Sequence, residues 1–188
     1  MITPNRLTYL RILIAFICPV LLLFNRSLTA DLWVMFFFTV ASVTDWWDGH
    51  LARKHSLVTG TGKILDPIAD KILILGLMIA FAYLGLYSFR WIFFILIREV
   101  SVTATRLIRL RKGKVIPAEW AGKVKLGFQI SSVSVSLIYL AFLDAYSKTV
   151  IPDFVVLLNF FHYAAIFLAN IFTITSGFLF FKRLSHHD

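Results

Sequence analysis

Residues 45–71 read DWWDGHLARKHSLVTGTGKILDPIADK, with four aspartates, Asp45, Asp48, Asp66 and Asp70, in a chain that is otherwise largely apolar. Carboxylates near lipid are costly, so acids set among apolar helical segments need a compensating partner. Asp45 and Asp48 are three apart, and three residues turn an α-helix by about 300°, leaving both side chains on one face. Gly49 and Ala52 continue that face. Asp66 and Asp70, four apart, share a face in the same way. Packing the two helices antiparallel through the turn at 56–63 would bring all four acids together.

Outward from this stretch, the chain is 188 residues long, 59% hydrophobic and only 15% charged, with a mean hydropathy of +0.81. That excludes an ordinary soluble domain. About 18 apolar residues suffice to cross a hydrocarbon core. Six segments meet this length, near 7–25, 31–53, 64–86, 90–111, 121–144 and 152–181. The expected fold is all-α: a polytopic membrane protein of six transmembrane helices, one domain over 1–188. Connectors at 25–31, 56–63, 85–90, 112–119 and 144–153 carry turn residues. Arg6 and Arg11 before an apolar run imitate a signal peptide, but no small-residue cleavage site follows, so the run is read as a first span. Cys18, the only cysteine, can form no intrachain disulfide and reads as a packing residue.

The net charge is +9. Arg26, Arg90 and Lys148 are the basic residues of the first, third and fifth connectors; the other lysines and arginines lie on or near the opposite side. The positive-inside rule then puts both termini in the cytoplasm; the expected location is the inner (cytoplasmic) membrane. The basic face would attract anionic headgroups or anionic substrates. It forms no separate domain, which argues against nucleic acid.

Four carboxylates in one cleft repel one another unless cations lie between them. An all-oxygen donor set suits two Mg2+ or Mn2+ ions and argues against zinc. Such a pair clamps phosphoryl oxygens. Gly49 and Ala52 leave the acidic face without bulk, Gly60 and Gly62 make the following loop permissive, and Arg53 can reach a phosphate bidentately. Pro67 is tolerated in a first helical turn. The competing reading pairs the aspartates with Arg53, Lys54, Lys63 and Lys71 in salt-bridged helix ends.

A second group is basic. Arg98 lies about 12 Å into the fourth segment, where an unpaired guanidinium is unfavourable. Arg106 follows two turns later, and Lys123 and Lys125 open the fifth segment; together these could collect an anionic headgroup. The alternative for Arg98 is an ion pair with Glu99. Arg109, Arg111, Lys112 and Lys114 read as solvated anchors. His50, His55, His162, His186 and His187 are scattered and read as surface or interfacial residues. Trp46 and Trp47 read as belt or packing residues, Ser132 and Ser136 with Gly127 and Ser131 as a close helix contact, and Asn159 and Asn170 as interhelical hydrogen-bonding groups.

Asp45, Asp48, Gly49, Ala52, Arg53, Gly62, Asp66 and Asp70 match D-x2-D-G-x2-A-R-x8-G-x3-D-x3-D without departure. In this the chain resembles the CDP-alcohol phosphatidyltransferases, over nearly its whole length. The nearest likeness is to members that use glycerol 3-phosphate as acceptor, through Pro4-Asn5, Leu7-Thr8, Arg11, ASVTDWWDG, GKILDPIADK, Arg98-Glu99 with Arg106, and Gly122-Lys123-Val124-Lys125. The resemblance implies six transmembrane helices around a cytoplasm-facing cavity, a homodimer, and transfer of a phosphatidyl group from CDP-diacylglycerol to glycerol 3-phosphate with release of CMP. It also implies that Asp45, Asp48, Asp66 and Asp70 hold two divalent ions, with Asp70 as general base. CDP-diacylglycerol would meet Gly49, Ala52, Arg53, Gly62, Asn5 and Thr8, and the acceptor phosphate Arg98, Arg106, Lys123 and Lys125.

Three rivals stand beside this reading. The acceptor could be inositol phosphate, inositol, serine or phosphatidylglycerol. A divalent-cation transporter would also use intramembrane acids, but at several depths; here they cluster at one end, with only Asp31, Asp144 and Asp153 in the outer connectors. A structural membrane subunit would need none of the aspartates for activity.

Overall fold

The computed structural model describes residues 4–55, 62–113, 120–150 and 152–185, and the side chains of 10–44, 71–113, 120–150 and 152–185. Six helices follow one another: α1 (Pro4–Phe24), α2 (Leu28–His55), α3 (Gly62–Tyr83), α4 (Phe89–Arg111), α5 (Trp120–Ala145) and α6 (Asp153–Ser185). No strand occurs among the described residues.

Local chemistry sets several ends. Ser27 caps α2, its hydroxyl accepting from the Ala30 N–H at 3.3 Å. α3 closes in a Schellman turn: the Leu86 N–H bonds to the Phe81 carbonyl at 2.9 Å and the Gly85 N–H to Ala82 at 3.1 Å. Gly85 has φ 78°, a left-handed conformation that favours glycine. Gly113, φ 73°, plays the same part after α4.

In the described residues α5 and α6 are long and apolar enough to cross a membrane. α1, α2 and α3 offer shorter apolar stretches, Leu10–Phe24, Leu28–Thr44 and Lys71–Tyr83. α4 is interrupted by Arg98, Glu99 and Arg106. Large apolar side chains such as Phe16, Trp33, Phe93, Phe160 and Phe178 face outward, as expected of a membrane protein.

α1 packs chiefly on α3, and α5 on α6; α2 touches α1 and α5, while α4 touches α3 and α6. Against lipid, burial of an apolar side chain is not a transfer from water, so close packing and hydrogen bonds must supply the cohesion. Cys18, Leu22, Leu77, Met78 and Phe81 interlock at the α1–α3 contact, all fully buried. Gly76 permits the approach, since a Cβ there would stand 3.1 Å from Cγ of Pro19.

Contacts between successive turns show which ends lie together. Arg26, between α1 and α2, reaches Asp144 at the end of α5 at 2.5 Å. His162 Nε2 donates to the Leu86 carbonyl, between α3 and α4, at 3.2 Å. The first and third connectors and the α5–α6 joint therefore share one end of the bundle.

Several sequence expectations change here. Asp31 is no connector residue: it lies in the first turn of α2, its side chain buried 3.8 Å from Arg26. His162 is fully buried rather than interfacial, with Ser136 Oγ 3.0 Å from its Nδ1 and Ser136 within 3.1 Å of the Tyr87 hydroxyl. Ser132 and Ser136 thus belong to a buried polar network, whereas Gly127 and Ser131, on another face of α5, are exposed. Asn170 bonds within its own helix, to the Ile166 carbonyl at 2.9 Å, rather than across helices.

Candidate functional site

The backbone puts Asp45 and Asp48 in α2, before its end at His55, and Asp66 and Asp70 in α3, soon after its start at Gly62. The helical spacing of both pairs is therefore present in the fold, so each pair lies on one face of its helix. The two helix ends are consecutive in the chain. In their described portions α2 and α3 are joined through common neighbours, α1 and α5, rather than through an extensive contact of their own. The side chains of Asp45, Asp48, Gly49, Ala52, Arg53, Asp66, Asp70, Asn5 and Thr8 lie outside the described residues, as do those of His50, His55, Trp46, Trp47, Lys54, Lys63 and Pro67. Gly62 begins α3; Gly60, Lys114, His186 and His187 are also outside. Among the described residues no group of three or more His, Cys, Asp or Glu could hold a metal ion. Carboxylate oxygens are hard donors, the chemistry that suits magnesium or manganese.

The basic group is described in full, apart from Lys114. Glu99, on α4, is 2% exposed and sits at its centre. Its Oε1 accepts from Nη1 of Arg98 at 2.9 Å and from Nζ of Lys125, and Gln129 Nε2 lies 3.5 Å away. Its Oε2 faces Nζ of Lys71 at 3.2 Å. Lys71, on α3, also donates to Thr103 Oγ1 and lies 3.4 Å from the Glu99 carbonyl. Arg98 reaches across to α6 through Nη2, which donates to Ser176 Oγ at 2.9 Å. Its stem rests on Gly177, where a Cβ would come within 2.8 Å of Arg98 Cγ. Gln129 completes the link by donating to Thr173 at 3.1 Å. One carboxylate thus gathers charges from α3, α4 and α5, and a hydrogen-bonded arginine anchors the group to α6.

Removing ions from water is expensive, and such a group is tolerable only with close pairing and further hydrogen bonds. Among the described residues, Glu99 supplies one negative charge against three positive ones.

Among the described residues, two cavities meet at this group. A cavity of about 130 Å3 is lined by Lys71, Glu99, Gly122, Lys125 and Gln129. An apolar groove of about 500 Å3 runs between α3 and α4, past Ile72, Ile79, Val100 and Leu107. Lys71, Leu75 and Glu99 border both.

Of the four basic residues singled out from sequence, Arg98 and Lys125 converge on Glu99. Arg106 lies over the ring of Phe180, 5.4 Å from its centroid, a cation–π contact with α6. Lys123 is exposed; two residues from Lys125, it projects about 200° away around α5. The sequence reading assigned Lys71 only to an ion pair, and did not pick out Thr103, Gln129, Thr173, Ser176 or Gly177. The available signal was polar spacing inside apolar helices: Thr103 four after Glu99, Gln129 four after Lys125, Ser176 three after Thr173.

Comparison with known proteins adds an independent line. A family model described as CDP-alcohol phosphatidyltransferase matches residues 1–175. A Bacillus subtilis (strain 168) protein named CDP-diacylglycerol--glycerol-3-phosphate 3-phosphatidyltransferase is 36% identical over 146 residues, covering 78% of this chain and 70% of its own length. A Rickettsia felis protein of the same name is 34% identical over 135 residues, 72% of this chain and 74% of the relative. A Mycobacterium tuberculosis (strain H37Rv) protein named probable phosphatidylglycerophosphate synthase is 40% identical over 104 residues, 55% of this chain and 49% of the relative.

Proposed function

Since this chain belongs to the CDP-alcohol phosphatidyltransferase family, we propose that it transfers the phosphatidyl group of CDP-diacylglycerol to glycerol 3-phosphate, giving phosphatidylglycerophosphate and CMP. The observation that carries the proposal is the match to relatives named for that reaction over more than two thirds of both chains. The buried Lys125 and the partly buried Lys71 and Arg98 around Glu99 support a phosphorylated acceptor over an uncharged one such as inositol, because an uncharged acceptor would leave the excess positive charge among the described residues unmatched.

Asp45, Asp48, Asp66 and Asp70 would hold two divalent ions, which supply charge neutralisation to the diphosphate and to departing CMP. Gly49 and Ala52 leave room on the acidic face for the nucleotide lipid, Gly62, Asn5 and Thr8 flank it, and Arg53 holds a phosphate oxygen. Asp70 takes the proton of the acceptor hydroxyl as that oxygen bonds to the phosphorus bearing diacylglycerol and the bond to the CMP oxygen breaks. Arg98 and Lys125 retain the acceptor phosphate, with Arg106 beside them on α4, while Lys123 faces away on α5 and takes no part.

The six helices span the inner membrane, with both termini and the reaction on the cytoplasmic side, and the working unit is a homodimer. The sharing of one end by Arg26, Leu86 and Asp144 supports the alternation that this topology needs, and the basic bias of the opposite end supports the orientation.

The test is purified protein in lipid nanodiscs given CDP-diacylglycerol, Mg2+ and, in turn, glycerol 3-phosphate, inositol phosphate, inositol, serine or phosphatidylglycerol. The expected product is phosphatidylglycerophosphate, with at least tenfold preference in kcat/KM; equal or better turnover of another acceptor would overturn the assignment.

A further inference from the structure

We infer that Lys71 is a specificity-determining residue of the acceptor site, binding the phosphate of the acceptor together with Lys125 across the cavity that Glu99 organises. The inference rests on the proposed reaction and adds a residue from a different helix to its acceptor pocket.

Three observations carry it. First, Lys71 and Lys125 come from α3 and α5 yet meet opposite oxygens of the same carboxylate, and both residues line the cavity of about 130 Å3. A water molecule occupies about 30 Å3 of liquid, so this space holds a phosphate group rather than a large ligand.

Second, the charges of the described residues do not balance. Among the described residues, Lys71, Arg98 and Lys125 supply three positive charges and Glu99 one negative, at side chains that are 30%, 12%, 7% and 3% exposed. A phosphate monoester carries about −1.5 to −2 near neutral pH. Such an anion cancels the excess, whereas glycerol or inositol leaves it in place.

Third, donors remain. Among the described residues the Lys125 ammonium, with three protons, bonds to Glu99 alone. Lys71 directs its bonds at Thr103 and the Glu99 carbonyl, while Glu99 Oε2 is buried without a hydrogen-bond partner although Lys71 stands 3.2 Å away. Lys71 therefore stands beside the carboxylate in an ion pair without a hydrogen bond, so an oxygen in the cavity can take the ammonium proton that faces Oε2. Because Lys71 directly follows Asp70, the helix turn that would present the base also delivers a phosphate-binding cation, which couples recognition of the acceptor's phosphate to placement of its hydroxyl.

The experiment uses the full-length protein in nanodiscs, wild type against Lys71→Met, Lys71→Gln and Lys71→Arg. Thermal protection by glycerol 3-phosphate, inorganic phosphate and glycerol is measured without CDP-diacylglycerol, and turnover with it. The wild type should be protected by the two phosphates and not by glycerol. Lys71→Met and Lys71→Gln should need at least tenfold more phosphate for the same protection and show at least tenfold higher KM for glycerol 3-phosphate, with KM for CDP-diacylglycerol within twofold. Lys71→Arg should restore most of both. Should Lys71→Met fail to fold, Lys71→Gln, which keeps a donor toward Thr103, carries the comparison. Unchanged phosphate protection and KM in the neutral variants, or equal losses toward both substrates, would overturn the inference while leaving the reaction intact. Absence of CMP formation by the wild type with glycerol 3-phosphate would instead overturn the reaction, and the inference with it.

Discussion

The ammonium of Lys71 and the carboxylate of Glu99 stand 3.2 Å apart across the α3–α4 boundary, and the same carboxylate takes Arg98 and Lys125 on its other oxygen. Glu99 is thus the single acid, among the described residues, that lets three cations share one buried place. Glu99→Gln keeps the shape and removes the charge. Breaking a buried ion pair costs about 3–5 kcal/mol, so this variant should melt well below the wild type when unfolding is followed by size exclusion after heating. Added inorganic phosphate should raise its melting temperature more than that of the wild type, because an anion then supplies the missing charge.

Gly177 tests the α4–α6 side of the same group. A methyl group there meets Arg98 Cγ at 2.8 Å, so the guanidinium must leave its place between Glu99 and Ser176. Gly177→Ala should cost about 1–3 kcal/mol by overpacking and raise KM for glycerol 3-phosphate several-fold, measured by CMP release over a range of acceptor concentrations.

At the other end of the bundle, Arg26 faces two acids, Asp144 at 2.5 Å and the buried Asp31 at 3.8 Å. Arg26→Ala strands Asp31 with Asp144 and should destabilise the protein by about 3 kcal/mol. KM for glycerol 3-phosphate should stay within twofold, since this cluster lies away from the Glu99 group. Adding Asp31→Asn should recover part of the lost stability. Thermal melts of the single and double variants check both points.

The orientation yields a labelling pattern. Cys18 is fully buried, so background reaction with a membrane-impermeant maleimide should be low. Lys112→Cys and Ser147→Cys stand at exposed positions at opposite ends of the bundle. In intact cells Ser147→Cys should react and Lys112→Cys should react only after permeabilisation; the reverse pattern would invert the topology.

The existence and extent of the helices were legible because apolar runs are long and turn residues punctuate them. The aspartate motif was legible because its eight positions fall in one continuous stretch. His162 was misread because a polar residue in an apolar helix looks the same whether it faces lipid headgroups or buried partners such as Ser136 and Leu86, the latter from a distant turn. Asp31 read as a connector because an acid at the edge of an apolar run marks a helix's first turn as readily as a loop. Lys71 could be placed near acids, but not opposite Lys125, since that juxtaposition is made by three helices meeting at Glu99. Lys123 and Lys125 looked equivalent in sequence; the helix turns them to different faces.

The most direct test of phosphatidyl transfer follows radiolabelled glycerol 3-phosphate into chloroform-soluble lipid while CMP is measured in the same reaction, with purified protein, CDP-diacylglycerol and Mg2+. Labelled lipid and CMP should appear in equal amounts, disappear when the divalent ion is chelated, and fall at least about 100-fold in Asp70→Asn. Lipid labelling that persists with chelator or in Asp70→Asn, or CMP release that does not need the acceptor, would contradict the account.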